Sequence, residues 1–308
     1  MAYQAEILAD SISEYGDRLT TLAVTFPRIV LPELNTHRAF SRNSASSRAI
    51  PHERQLVRVL DDPFIPVHWG ANQPGMQAER ELDAAETELA EANWLAARDY
   101  AALGFVALIG GVSALKDDAL RHRVIELQAR LGDTQSALAT PLHKQIASRL
   151  LEPFMWQTVI VTATDWSNFF ALRANAQAQP EIQQIARMMR DLYDNHTPTL
   201  LAAGEWHLPF VQPDERTLAI SALRKIATAR CARISYLTHD TGQRDTARDV
   251  QLHDVLLRDG HMSPFEHVAR PMTDEERGCS PYDGNLRGWH QYRKDFPDEH
   301  DYGLIAHA

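Results

Sequence analysis

Apolar and β-branched residues crowd LTTLAVTFPRIVLPEL (19–34), and the breaks at Pro27 and Pro32 predict short strands. Residues 61–76, DDPFIPVHWGANQPGM, carry enough Pro and Gly to predict loop. From 78 to 103 the pattern changes to a helical stripe, Leu82, Leu89, Ala92, Ala96 and Leu103, among acids and arginines. A second amphipathic helix is predicted over 114–133, stopping at Gly132, and a third over 141–152. TVIVTAT (158–164) reads as a strand and DWSNFFALRANAQ (165–177) as a helix opened by Asp165. Over 180–193, Pro180 stands at the first helical position and Ile182, Ile185, Met189 and Leu192 line one face. A helix is expected over 215–228 and a strand at RCARISYL (230–237). Residues 246–259 predict a helix with Thr246 and Asp249 as capping pair and Gly260 as stop. No repeat, low-complexity tract or linker interrupts the pattern. One α+β domain spanning 1–308 is the expectation.

One polar stretch departs from this background. THRAFSRNSASSR (36–48) holds Arg38, Arg42, Arg48, His37, Asn43 and four serines, with no Asp or Glu between Leu34 and Pro51. The whole chain, by contrast, is acidic, with a formal charge of −10. That balance excludes a general nucleic-acid surface, which needs a basic face, but leaves room for a small anion in a local basic pocket. Guanidinium forks interleaved with hydroxyls and backbone amides are what a phosphate ester requires. On residues alone, a solvated polar loop whose arginines meet surplus acids stays open beside that reading.

Hydrophobic content of 44% and charged content of 23% are those of a soluble globular protein. The longest apolar run, LGFVALIGGV (103–112), is too short to span a membrane. The first residues lack a basic segment followed by an apolar one, so no signal peptide is expected. Cys231 and Cys279 make no disulfide framework and lack metal spacing, which points to reduced thiols and a cytoplasmic location. Phosphate-loop, dinucleotide, GxSxG and HEXXH motifs are all absent. His261 and His267 in GHMSPFEH (260–267) match no metal template, and no metal is expected.

THRAFSRNSASSR resembles the signature of the flavin-dependent thymidylate synthase family, an Arg-His-Arg followed by Ser, Asn and Arg at fixed places. His37, Arg38, Ser41, Asn43, Ser46 and Arg48 fall in register. Thr36 replaces the first arginine, and Ser44 stands where glutamate is usual. RLLEP (149–153), NFFALRANAQAQPEIQQIA (168–186), ARCARISY (229–236) and GHMSPFEH resemble further segments of the family. The last two normally precede the signature, so the motif order looks circularly permuted. Residues around 112–138 match nothing and read as a helical insertion. The family's Asn-x-Arg flavin contact ahead of Asn168 is not evident, and Thr162 and Thr164 occupy that region.

The resemblance implies an α+β subunit with an antiparallel-rich central sheet flanked by helices, assembling as a homotetramer. It implies FAD as cofactor, NADPH as reductant and methylenetetrahydrofolate as one-carbon donor, with no nucleic-acid polymer or membrane as partner. Arg173 would be the uracil-activating guanidinium. Glu33, Ser44, Ser46, Ser47, Arg48 and Arg149 would bind the nucleotide together with Arg173. Thr36, His37, Arg38, Ser41, Asn43, Asn168, His261 and Ser263 would face the cofactor. Glu266 and His267 are expected to form a buried structural pair. A cysteine route to C5 activation has two thiols available, and both read better as inert. The Thr-His-Arg variant is similar to the uridylate C5-methylase branch of nucleoside-antibiotic (polyoxin-type) pathways. UMP, with dUMP, is therefore the expected substrate. An ordinary thymidylate synthase acting on dUMP, or a nucleotide-binding protein that has lost flavin, are the alternatives.

Overall fold

The computed structural model describes residues 3–46, 50–74, 78–132, 136–234, 245–297 and 299–300. Its centre is a five-stranded sheet in the order β3-β4-β2-β1-β5, formed by β1 (Gln4–Ser13), β2 (Arg18–Pro27), β3 (Ser41–Ser44), β4 (Trp156–Ala163) and β5 (Thr199–Leu201). All pairings are antiparallel except β1 with β5, which makes the sheet mixed but antiparallel-rich.

The helices are α1 (Leu31–Asn35), α2 (His52–Asp61), α3 (Ala84–Leu108), α4 (Asp118–Leu131), α5 (Lys144–Ala147), α6 (Ser167–Arg173), α7 (Pro180–Asn195), α8 (Ile220–Ala232), α9 (Thr246–Arg258) and α10 (Asp274–Cys279). Short strands β6 (Ala269–Pro271) and β9 (Trp289–Gln291) pair with each other, and β7 (Tyr282–Asp283) forms a hairpin with β8 (Leu286–Arg287).

Strand pleating sorts the sheet into two chemical faces, because neighbouring side chains point to opposite sides. Leu22, Val24 and Phe26 of β2 and Val159, Val161 and Ala163 of β4 share one face, where Trp166, Phe169, Ile182, Ile185 and Met189 of the α6–α7 region close the core. The opposite face is polar. Thr21, Thr162 and Ser41 form one cross-strand row. Across that face Ser11 Oγ meets His207 Nδ1 at 2.8 Å, His207 Nε2 meets Thr21 Oγ1 at 2.8 Å, Thr21 meets Thr162 at 2.6 Å, and Thr162 meets His267 Nδ1 at 2.7 Å. A second apolar cluster joins α2, α3 and α4, including Leu56, Phe105, Leu120 and Val124, so the segment 112–138 contributes α4 to a packed helical layer.

Several expectations are corrected. RCARISYL is not a strand where it is described: α8 runs through Ala232, and Arg230 sits inside it on ion pairs to Glu215 and Asp249. Residues 235–237 of that stretch lie outside the described residues. The apolar run 19–34 is a strand only to Pro27; a 3-10 turn and α1 follow. The third helix shrinks to α5 followed by a 3-10 turn at Ser148–Phe154. Asp245, not Thr246, caps α9 by accepting from Arg248 N. Residues 4–13, assigned no element from sequence, form β1.

Candidate active site

β3 is an edge strand, and the signature segment leads into it from α1. Its pleat divides the signature. Ser41 and Asn43 share the polar face with Thr162 and Ile160, and both are buried. Arg42 and Ser44 alternate with them and point to the other side, where Arg42 Nη1 donates to Leu34 O at 3.2 Å.

The segments nominated by resemblance converge here. From α6, Arg173 Nε donates to His37 Nε2 at 3.0 Å, and Arg173 Nη2 donates to Thr36 Oγ1 at 3.1 Å. Thr36 in turn donates to Glu33 O at 2.7 Å. Asn43 Nδ2 donates to Cys231 O at 3.3 Å, which ties β3 to α8. The turn Ser263–His267 packs against β3 and bonds to β4 through His267. Arg149 lies in a groove beside α1 that Leu31, Asn35 and Arg28 also line, and it pairs with Glu152 at 2.7 Å. Glu152 is shared with Arg28, also at 2.7 Å.

The electrostatics single out one side of this edge. His37 accepts from Arg173, so its proton is on Nδ1 and the ring is neutral. Burial, then the nearby Arg173 and Arg42 charges, hold its pKa below the ordinary imidazole value. The ring stacks on Phe40 at 5.7 Å between centroids and meets the edge of Phe169 at 5.0 Å. Burial lowers the Arg42 pKa, with the Glu266 charge opposing. Among the described residues Arg38, Arg42 and Arg173 have no carboxylate within ion-pair distance, whereas Arg18, Arg28, Arg149, Arg230 and Arg293 all do. Guanidiniums without carboxylate partners beside a neutral imidazole, in a protein of net charge −10, are the chemistry an anion would need.

The other nominated residues are placed as follows. Glu33 is half-buried, and its Oε2 is enclosed with no hydrogen-bond partner among the described residues. Thr36, Arg38, Ser44, Asn168, His261 and Ser263 are exposed, and Ser46 is half-buried. Ser47 and Arg48 lie outside the described residues. Gly260 takes φ +71° and His261 N donates to Leu256 O at 2.8 Å, so His261 follows a glycine-terminated helix. Glu266 and His267 do not pair with each other: Glu266 accepts from Arg293 at 2.5 Å, and His267 bonds Thr162. Thr164 accepts from Arg287 N at 3.1 Å and so faces protein. Burial pushes the Cys231 thiol pKa far up, which leaves it inert as a nucleophile. Among the described residues no His, Cys, Asp or Glu cluster could hold a metal, and no helix is long and apolar enough to cross a membrane.

Three participants were missed from sequence. Arg42 reads from the sequence only as one charge of the signature. Glu152 was hidden inside RLLEP. Asn285, in the β7–β8 hairpin, reaches Ala39 and Ser41; the Asp-Gly pair before it was the available signal.

No curated protein matches the chain. A solved structure titled as a UMP/dUMP methylase PolB from Streptomyces cacaoi bound with 5-Br UMP aligns with 62% of this chain and 88% of that one, at 13% identity and a TM-score of 0.41. Nothing about substrate transfers at that level of likeness. Residues 18–199, more than half of the chain, match Thy1, the thymidylate synthase complementing protein family, and the chain belongs to that family.

Proposed function

We propose that the protein methylates C5 of a pyrimidine nucleotide, UMP and also dUMP. Methylenetetrahydrofolate gives the carbon, and NADPH gives the electrons through FAD. Family membership supports thymidylate synthase-type pyrimidine methylation. The observation carrying the finer reading is the convergence of Arg173 on Thr36 and His37, beside Arg42 and with no carboxylate partner.

The donor set suits a flavin dinucleotide. Arg38 and Arg42 would supply charge for its pyrophosphate, and His37 on its aromatic support offers a neutral N–H edge. Thr36, His37 and Arg38, together with Asn168, His261 and Ser263, would hold it. Ser41 and Asn43, turned inward, would keep the strand in place. A flavin bound there and reduced by NADPH would supply the hydride that completes the methyl group. Arg173, oriented by Thr36 and His37, stabilises negative charge at the uracil O4 edge as C5 reacts. A neutral His37 is what permits this orientation, since an imidazolium cannot accept from Arg173. Ser44, Ser46, Ser47, Arg48 and Arg149 would bind the phosphate, with Glu33 as a further nucleotide-binding residue. Thr36 and Ser44, smaller than the usual arginine and glutamate, support room for a ribose. We further read the chain as one cytoplasmic α+β domain with a helical insertion and permuted motif order, assembling as a homotetramer.

The test is reconstitution. Purified protein given FAD should show bound-flavin absorbance and oxidise NADPH only when methylenetetrahydrofolate and nucleotide are present. A preparation that takes up no FAD would favour a nucleotide-binding protein without catalysis.

A further inference from the structure

The hairpin β7–β8 lies outside the matched family segment, yet it touches the signature. Its two-residue loop is Gly284–Asn285, closed by the pair Asp283–Leu286. Gly284 takes φ +60°, and Asn285 is not among the described residues with positive φ. That is the pattern of a turn requiring glycine at its first central position. A Cβ on Gly284 would stand 2.5 Å from Gln291 Oε1, so the glycine also admits the close approach of Gln291.

Gln291 is buried and its Nε2 donates to Asn285 Oδ1 at 2.6 Å. With its oxygen held this way, the Asn285 amide has a fixed orientation. Its Nδ2 then donates to Ala39 O at 2.8 Å and to Ser41 Oγ at 3.1 Å. Ala39 and Ser41 flank Phe40, the ring on which His37 stacks. The far end of the hairpin is fixed as well: Leu286 is fully buried and Arg287 N donates to Thr164 Oγ1. An anchored hairpin thus presents one oriented amide to the segment between α1 and β3.

We propose that Asn285 is a positioning residue of the active site. It fixes the Ala39–Ser41 segment and, through Phe40, the His37 ring that orients Arg173. The inference rests on the proposed flavin and nucleotide site for its functional consequence, though not for the tether itself. Asn285→Asp is the decisive variant. It keeps the size, the turn preference and the acceptor for Gln291 and for Ser41 Oγ, but removes the donor to Ala39 O and sets a carboxylate against it. Asn285→Ala removes both ends. Tyr282→Ala, an exposed change on the same hairpin, is the control.

Two quantities are measured on each protein, hydrogen exchange at the Phe40 and Ser41 amides without ligand, and FAD affinity by flavin fluorescence, alongside the melting temperature. In both Asn285 variants the two amides should exchange about tenfold faster and FAD should bind about tenfold more weakly, the scale of one lost hydrogen bond. The melting temperature should stay near wild type and the control should be silent. Unchanged exchange, unchanged FAD affinity, or losses that only follow a fallen melting temperature would overturn the proposal. If the wild type itself binds no FAD, the flavin reading fails separately, and the exchange comparison still decides whether Asn285 holds the segment.

Discussion

His207 and His267 are both fully enclosed, and burial pushes each pKa down to about 3 from 6.5. The folded state therefore binds fewer protons than the unfolded state below about pH 6.5. For a depressed imidazole pKa, stability is complete above 6.5 and is lost as pH falls toward the folded value. At pH 5 each ring costs about 2 kcal/mol relative to pH 8, or about 4 kcal/mol for the pair. That is a sizeable part of an ordinary domain's total stability. His290 has the opposite sign. Asp283 and Asp295 at 2.7 Å raise its pKa, so its contribution is complete below 6.5 and is lost as pH rises through the raised value. To isolate one ring, His267→Asn keeps a partner for Thr162 but does not titrate in this range. Unfolding free energies from urea titrations at pH 5, 5.5, 6, 7 and 8 give the slope for each protein. Between pH 5 and 6 the variant's slope should be lower by about 1.2 kcal/mol per pH unit, while carboxylates and His290 cancel in the difference. Equal slopes would refute the argument that this ring is held neutral by burial.

Two further outcomes follow from the site and the core. Arg173→Lys loses the planar fork that meets Thr36 and His37 together; turnover should fall about 100-fold or more with FAD affinity nearly unchanged, as read by steady-state kinetics and flavin titration. Arg230→Met removes the buried guanidinium that Glu215 and Asp249 share, while Asp249 keeps Arg233. It should cost about 3–5 kcal/mol by denaturant unfolding, part of which Glu215→Gln should restore.

How much of this was legible in the sequence depended on where each residue's partner lay. The α7 helix could be read because its start residue, Pro180, and its apolar stripe are local signals. The same holds for Gly132, which ends α4 with φ +62°. β1 escaped because QAEILADSIS has no clean alternation: Asp10, Ser11 and Ser13 are buried, and Asp10 and Ser11 bond to the distant His196 and His207. The strand reading of RCARISYL failed for a related reason. Its β-branched and aromatic end suggests a strand, but Arg230 and Arg233 stand three apart as on a helix, and Arg230 is neutralised inside the protein by residues from two other segments. At the site, the signature's chemistry was plain from its letters. The division of Ser41 and Asn43 from Arg42 and Ser44 needed β3 to be recognised as a strand. The tether from Asn285 needed the chain to return from well over two hundred residues away.

The central claim is chemical, so the product decides it. Protein reconstituted with FAD is supplied with NADPH and methylenetetrahydrofolate, and UMP and dUMP are followed side by side by mass spectrometry. The account predicts a C5-methylated nucleotide from both. Methylation of dUMP with UMP untouched would contradict the assigned substrate range, and no methylated product from either would contradict the assigned chemistry.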